Sequence, residues 1–187
     1  ALPADVPDAD RPAGADTIDW VELTTDLRFV LVIDRSGSMS VDSSRPMDEA
    51  IYGGAFWADN AQDNDYLGAV GFDDLMETTP LAQVTSDADR DTVADFIETL
   101  FPRGTTAIGD ALREAMDMIT GAGDQSCTQV IVLFSDGIHN TGEDPLDVLP
   151  DLIANGIRVY TIGFGPDADV DRLTAIAEGT GGKFYQI

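Results

Sequence analysis

The chain has 187 residues, of which 43% are hydrophobic, and this is enough for one globular domain with a sizeable core. Its 35 acidic and 10 basic residues give a formal net charge of −25, which argues against nucleic-acid binding because that function needs basic patches. No apolar run approaches the roughly 18–20 residues that span a membrane. Cys127 is the single cysteine, so an internal disulfide framework is excluded.

A net charge of this size also bears on the conditions under which the chain folds. Acidic groups that repel one another destabilise the compact state at low salt. At about 1 M salt the Debye length falls to roughly 3 Å, and most of this repulsion is screened. The composition therefore favours a halophilic source, with a secreted protein of an Asp-rich, high-GC bacterium as the alternative.

The N-terminal segment differs in composition from the rest of the chain. Residues 1–27 are predicted to form an acidic arm or linker, because they are rich in Ala, Pro and Asp and lack apolar periodicity. Residues 20–23 within this arm are compatible with a short strand. The acidic N-terminus has no signal-peptide pattern, and the folded domain is predicted to cover residues 28–187.

The first half of the domain shows two buried strands separated by a helix. The first strand is predicted at residues 28–34, because residues 30–33 are apolar at both odd and even positions, as in a strand that is covered on both faces. A helix is predicted from Pro46, which suits a first helical turn, and a second strand at residues 65–72. Residues 80–85 should form an edge strand, because Pro80 cannot donate a backbone hydrogen bond.

The second half of the domain alternates helices and strands. Ser86 with Asp89 resembles an acidic capping arrangement at the start of a helix. Residues 102–104 end that helix, and Thr105 is predicted to cap the next one. The remaining predicted elements are two helices and three strands, at residues 128–134, 146–154, 157–164, 170–179 and 183–187.

This alternation predicts an α/β fold with a doubly wound, mostly parallel six-stranded sheet, one antiparallel edge strand and helices on both faces. Right-handed crossovers would place the first and fourth strands side by side at the point where the strand order reverses. Ligands of open α/β sheets bind at the carboxyl ends of the strands at that point. Asp34 and Asp136 are therefore expected to face the same crevice.

Three segments bring oxygen atoms to that crevice. Asp34, Ser36 and Ser38 lie on a tight turn directly after the first strand, residues 105–106 precede a helix, and Asp136 follows the fourth strand. These side chains offer hard oxygen donors, which favour Mg²⁺, Mn²⁺ or Ca²⁺. Each residue alone has an ordinary interpretation as a turn or cap residue, so the predicted metal site depends on the three segments meeting.

Five nearby residues are predicted to have other roles. Arg35 fills the variable position of the turn and is expected to point outward. Asp73 and Asp74 are expected to form a solvated turn, with a position flanking the metal site as the alternative. His139 is placed on the rim of the crevice and not among the ligands, since the other donors are oxygens. Trp57 is interpreted as a core residue or the wall of a groove.

The same residues carry a resemblance to a known family. An Asp-x-Ser-x-Ser turn after a buried strand, then Gly-Thr-Thr-Ala-Ile-Gly-Asp-Ala-Leu and Val-Leu-Phe-Ser-Asp-Gly, resembles the von Willebrand factor A domain and its metal-ion-dependent adhesion site. The pattern is similar to the A domains of calcium-activated chloride channel regulators and bacterial surface proteins. The later Val-Tyr-Thr-Ile-Gly-Phe-Gly and Thr-Gly-Gly-Lys-Phe-Tyr segments fit the same family, so the resemblance covers residues 28–187.

The resemblance implies a Rossmann-like fold and a set of metal ligands. By position in the family's motifs, one Mg²⁺, or Mn²⁺ or Ca²⁺ in its place, would be held by Asp34, Ser36, Ser38, Thr106 and Asp136. In such domains the serines bind the metal directly, the threonine binds directly or through water, and the aspartates act largely through water. A ligand protein then completes the coordination with an Asp or Glu carboxylate.

The resemblance implies a non-enzymatic protein-binding or adhesion domain. Such a domain is expected outside the cell or at the cell surface, as a monomeric part of a larger protein. Family members often continue into one more helix after the last strand. The pattern here ends at Ile187, so the domain is predicted to lack that helix, and an affinity switch based on its displacement is not expected.

Two other functions fit parts of the pattern. A cytoplasmic A domain that assists assembly beside an AAA ATPase would use the same metal site. An aspartyl-nucleophile phosphotransferase would normally have a second Asp where Ser36 stands and would need a nearby lysine, but Lys183 is the only lysine. A dinucleotide site is disfavoured because no Gly-x-Gly-x-x-Gly follows the first strand.

Overall fold

The computed structural model describes residues 26–40, 46–123, 127–165 and 168–187. The predicted arm, apart from residues 26 and 27, and the strand considered at residues 20–23 lie outside the described residues. In chain order the strands are β1 Leu27–Asp34, β2 Tyr66–Phe72, β3 Met76–Thr78, β4 Ala82–Gln83, β5 Thr128–Ser135, β6 Arg158–Gly163 and β7 Phe184–Gln186. The helices are α1 Pro46–Asp59, α2 Asp87–Glu98, α3 Ile108–Gly121, α4 Pro145–Ala154 and α5 Val170–Gly179, with a short 3₁₀ helix at Gly37–Ser40. None of the helices in these ranges is long and apolar enough to cross a membrane.

The strands form one sheet in the order β3-β2-β1-β5-β6-β7, with β4 also paired to β2. Strands β1, β2, β5, β6 and β7 are parallel, and β3 and β4 run antiparallel to β2. This confirms the doubly wound, mostly parallel sheet with an antiparallel edge. It also confirms that the first strand and the fourth predicted strand are neighbours, since β1 pairs directly with β5.

The antiparallel edge differs from the prediction of one strand at residues 80–85. The described residues contain seven strands, because the edge is divided into β3 and the two-residue β4. The chain reverses directly after β2, where the amide of Leu75 donates to Asp73 Oδ1 at 2.6 Å. Thr79 follows β3, and its backbone amide and its Oγ1 both bind Ala69, at 2.9 Å and 2.8 Å. The side-chain hydrogen bonds of Asp73 and Thr79 therefore determine where the antiparallel edge of the sheet begins and where β3 ends.

The core lies on both faces of the sheet, as the continuous apolar run of β1 predicts. Leu31 and Ile33 belong to the cluster that is covered by α1 and α2, whereas Val30 and Val32 belong to the cluster under α3, α4 and α5. All four are fully buried, and each such side chain contributes about 1.5–3 kcal/mol on burial. The two central strands are thus held firmly on both sides, which fixes the positions of the loops at their carboxyl ends.

The starts of α1, α2 and α5 follow the sequence prediction, whereas the start of α3 differs from it. Ser86 precedes α2, and Asp89 Oδ2 accepts a hydrogen bond from the Ser86 amide at 2.9 Å, so the predicted capping arrangement is present. The predicted cap at Thr105 is wrong: α3 begins at Ile108, its N-cap is Ala107, and no side chain caps it. The Ala107 amide donates instead to the Asp73 carbonyl at 3.2 Å.

Candidate metal centre

The centre of the candidate site is the carboxyl edge of the two middle strands. Asp34 ends β1, and Asp136 follows the last residue of the neighbouring strand β5. The two strands are parallel, and Ile33 lies opposite Phe134 in their register. The loops that carry Asp34 and Asp136 therefore leave the sheet side by side.

Asp34 is a fully buried carboxylate with two fixed hydrogen bonds. Its Oδ1 accepts from the Ser36 amide at 2.8 Å, and its Oδ2 accepts from the Ser135 hydroxyl at 2.5 Å. Burial raises the pKa of Asp34 to about 7, and the charge of Asp136 adds to this, although the bonds from Ser135 and Ser36 oppose it. A cation in the crevice would offset this cost, so the electrostatic environment of Asp34 suits a positively charged ligand.

The two serines of the turn present their hydroxyls together. Ser36 Oγ and Ser38 Oγ are 3.0 Å apart, and the 3₁₀ helix that starts at Gly37 produces this arrangement by bending the chain sharply. The Met39 amide donates to the Ser36 carbonyl at 3.1 Å, and the Met39 side chain is fully buried. The turn is therefore anchored to the core through Met39, the residue that follows Ser38.

Thr106 is buried and is connected to the loop that follows Asp136. Its amide donates to Asn140 Oδ1 at 2.9 Å, and its carbonyl accepts from the amides of Asn140 and Thr141 at 3.1 Å and 3.3 Å. Asn140 was not identified from the sequence as a site residue. Asn140 binds Thr106, which lies 34 positions earlier in the chain. No local sequence motif indicates this contact.

The Asp136 loop is ordered by its own hydrogen bonds. Asp136 Oδ1 accepts from the Ile138 amide at 3.0 Å, and the Asp136 carbonyl accepts from the Asp169 amide at 2.8 Å. Gly137 has a φ of +77°, and a Cβ there would lie 2.9 Å from the side chain of Leu173. Glycine is thus required both for the backbone conformation and for the close approach of α5.

Together the loops offer two carboxylates and three hydroxyls, from Asp34, Asp136, Ser36, Ser38 and Thr106. Within the described ranges no group of three or more His, Cys, Asp or Glu side chains is placed to hold a metal ion. Any metal at this edge would therefore depend on hydroxyl oxygens as well as carboxylates. Such a donor set suits a hard divalent cation.

Two expectations for the neighbouring residues are wrong. Arg35 does not point outward: its side chain is 1% exposed, and its Nε lies 3.2 Å from Asp73 Oδ2 in an ion pair that lacks hydrogen-bond alignment. Asp73 is also 1% exposed and is not part of a solvated turn, although Asp74 is exposed. Both residues are buried because each supplies the charge that the other needs, together with Arg103 and Glu77.

The other two neighbours, His139 and Trp57, lie on the loop after β5 and on α1. His139 is half-buried on the loop after Asp136, and burial, with the charge of Arg172, lowers its pKa. Trp57 is 45% exposed, and its ring packs edge-to-face against Phe29 at 6.4 Å between centroids. Trp57 is thus an exposed residue that touches the core on one side, and its interpretation as a core residue is wrong.

The doubly wound sheet, with its polar crevice at the switch point, defines a Rossmann-like α/β domain. The family model of the von Willebrand factor type A domain matches residues 29–187, and the chain belongs to that family. The resemblance read from the Asp-x-Ser-x-Ser motif is thereby confirmed at the level of the family.

Two curated relatives are similar over most of the chain. Inter-alpha-trypsin inhibitor heavy chain H3 of Rattus norvegicus is 28% identical over 80% of this chain and 18% of its own length. Calcium-activated chloride channel regulator 4 of Homo sapiens is 27% identical over 84% of this chain and 16% of its own length. The chain therefore spans less than a fifth of either relative.

Solved structures agree on the fold. A von Willebrand factor type A protein from Catenulispora acidiphila has a TM-score of 0.76 at 22% identity, covering 87% of this chain and 38% of that one. Proximal thread matrix protein 1 from the mussel byssus, described with a zinc-occupied MIDAS motif, has a TM-score of 0.72 at 22% identity, covering 87% of this chain and 44% of that one.

Proposed function

We propose that this domain is a non-enzymatic protein-binding module that holds one divalent cation at Asp34, Ser36, Ser38, Thr106 and Asp136. The observation that carries the proposal is the turn after β1. It places the Ser36 and Ser38 hydroxyls 3.0 Å apart beside a fully buried carboxylate whose pKa is raised to about 7. The zinc-occupied MIDAS motif of the mussel protein supports the proposal by analogy of fold.

The ligand set indicates what kind of partner would bind. Ser36, Ser38 and Thr106 would supply neutral hydroxyls, and Asp34 and Asp136 would act largely through bound water. A cation held mostly by neutral donors retains affinity for one more anionic oxygen. An Asp or Glu carboxylate of a partner protein is the proposed ligand, and Mg²⁺ is the proposed resident metal, with Mn²⁺ or Ca²⁺ as alternatives.

The proposal extends to the setting of the domain. We expect a monomeric domain within a larger protein, at the cell surface or outside the cell, as in an adhesion protein. A cytoplasmic assembly module is the alternative. An aspartyl-nucleophile enzyme is not favoured, because Asp34 is fully buried and bonded at both oxygens and Ser36 stands where such enzymes have a second Asp.

The metal half of the proposal is tested by calorimetric titration of Mg²⁺, Mn²⁺ and Ca²⁺ into the domain. Ser36→Ala removes one proposed ligand. Ser40→Ala is the matched control, because Ser40 belongs to the same turn but is exposed, and among the described residues its hydroxyl donates to the Gly37 carbonyl. We expect saturable binding in the wild type and in Ser40→Ala and a loss of at least about tenfold in Ser36→Ala. Equal binding by the two variants would refute the assignment.

The partner half is tested with immobilised peptides that each contain one Asp, compared with the same peptides carrying Asn. In Mg²⁺ the domain should bind a subset of the Asp peptides and none of their Asn counterparts, and EDTA should abolish this binding. Binding that persists in EDTA, or that is equally strong for the Asp and Asn peptides, would contradict the proposal that the metal binds a partner carboxylate.

A further inference from the structure

A cluster of four charged side chains, Arg35, Asp73, Glu77 and Arg103, lies beside the proposed metal site. Asp73 and Glu77 belong to the hairpin of β2 and β3, which contributes none of the five proposed ligands. Arg35 lies between Asp34 and Ser36 in the first loop, and Arg103 lies three residues before Thr106 in the second. We call these four residues the hairpin cluster.

Both arginines of the hairpin cluster bind the same two carboxylates. Arg103 Nε donates to Asp73 Oδ2 at 2.7 Å, and Arg103 Nη2 donates to Glu77 Oε1 at 2.7 Å. Arg35 Nε lies 3.2 Å from the same Asp73 Oδ2, and Arg35 Nη1 lies 2.9 Å from Glu77 Oε2. Two positive and two negative charges therefore connect the first and second ligand-bearing loops through a third element.

Backbone hydrogen bonds join the same loops at the same place. The Arg103 amide donates to the Arg35 carbonyl at 2.7 Å, and the Gly37 amide donates to the Gly104 carbonyl at 3.2 Å. Gly37 lies between the two serines of the turn, and Gly104 lies two residues before Thr106. A shift of Arg103 would therefore change the separation between the serine hydroxyls and the Thr106 loop.

The hairpin cluster is poorly explained as a source of stability alone. Arg35 and Asp73 are each 1% exposed, and removing such charges from water costs about as much as their mutual attraction returns. Within the described part of the chain, Arg35 Nη2 also has no hydrogen-bond partner. The hairpin cluster instead fixes the distance and orientation between the first and second ligand-bearing loops.

We propose that Arg103 and Asp73 are positioning residues of the metal site, which hold the Ser36–Ser38 turn and the Thr106 loop at the separation that one cation requires. This inference rests on the proposed function, because it presumes a metal at those oxygens. It assigns a role in metal binding to a hairpin that contributes none of the five proposed ligands.

The experiment compares Arg103→Met with Arg90→Met. Arg90 is the matched control, because it also binds two carboxylates, those of Asp63 and Asp87, but lies at the start of α2 and contacts the loop that precedes β2. We expect Arg103→Met to weaken Mg²⁺ binding about tenfold and Arg90→Met to leave it unchanged. Glu77→Gln, at a half-exposed position, is the milder second variant and should weaken binding in the same direction.

Amide hydrogen exchange in EDTA gives a readout that needs no metal. The Gly37 and Arg103 amides, which donate between the two loops, should exchange faster in Arg103→Met and Glu77→Gln but not in Arg90→Met. Unchanged exchange and unchanged Mg²⁺ affinity in both hairpin variants would overturn the inference, as would equal losses in Arg90→Met. A wild-type domain that binds no Mg²⁺, Mn²⁺ or Ca²⁺ would instead overturn the proposed function, and faster exchange in the hairpin variants would then show only that the cluster fixes the loops.

Discussion

At the scale of single residues, the protonation of Asp34 links metal binding to pH. Its pKa is raised to about 7 by burial, so a proton occupies the carboxyl group below that pH and must leave before a cation is held nearby. We predict that Mg²⁺ affinity rises about tenfold per pH unit up to pH 7 and then levels off. Calorimetry between pH 5.5 and 8.5 in buffers of different ionisation enthalpy measures both the affinity and the released proton. An affinity that is independent of pH would contradict the role of Asp34.

The same pKa shift predicts the stability of a substituted domain. The folded-state pKa of about 7 lies above the ordinary value of 3.8, so the folded state binds the proton more tightly and stability falls as pH rises between these values. At pH 8 in EDTA, Asp34→Asn should therefore raise the free energy of unfolding, by roughly 4 kcal/mol at most. Asp65→Asn is the control: Asp65 is buried and accepts two backbone bonds at the other end of the sheet, and no gain is expected there. Chemical denaturation measures both, and a destabilised Asp34→Asn domain would count against the electrostatic account.

At the scale of elements, the loop between β5 and α4 depends on Gly137. We predict that Gly137→Ala costs about 1–3 kcal/mol and also weakens Mg²⁺ binding, because the added Cβ would press on α5 and displace Asp136. Gly156→Ala is a matched control, since Gly156 also has a positive φ of +69° but nothing lies within 4 Å of the added Cβ. That control should lose stability from backbone strain alone and keep its Mg²⁺ affinity. Chemical denaturation of both variants measures the loss of stability, and calorimetry measures the change in Mg²⁺ affinity.

The limits of sequence reasoning also appear at this scale. The continuous apolar run of residues 30–33 predicts a strand that is buried on both faces, because apolar side chains at both odd and even positions are a local signal. The Asp-x-Ser-x-Ser turn and Asp136 were placed at one crevice by topology alone. The orientation of Arg35 could not be predicted, since its partners Asp73 and Glu77 are about 40 positions away. The start of α3 was missed for a similar reason, because Ala107 is held by the Asp73 carbonyl instead of a local cap.

At the scale of the whole molecule, the net charge of −25 should make stability depend on salt. Raising KCl from about 0.1 M to about 1 M shortens the Debye length from roughly 10 Å to roughly 3 Å. We predict a higher midpoint of thermal unfolding at the higher salt and faster association with acidic partners. The salt effect on unfolding should shrink near pH 4, where many carboxylates are protonated. If the midpoint of thermal unfolding at pH 7.5 does not change with salt, repulsion among the acidic groups does not significantly destabilise this fold.

We infer that the loops after β1 and β5 and the loop before α3 bring their oxygens to one cation, which requires the fold as a whole. Anomalous diffraction from crystals soaked in MnCl₂ tests this directly, because the signal locates the metal itself. We predict one strong peak within bonding distance of the Ser36 and Ser38 hydroxyls, with Thr106, Asp34 and Asp136 around it. A peak elsewhere on the acidic surface, with none between these residues, would contradict the account.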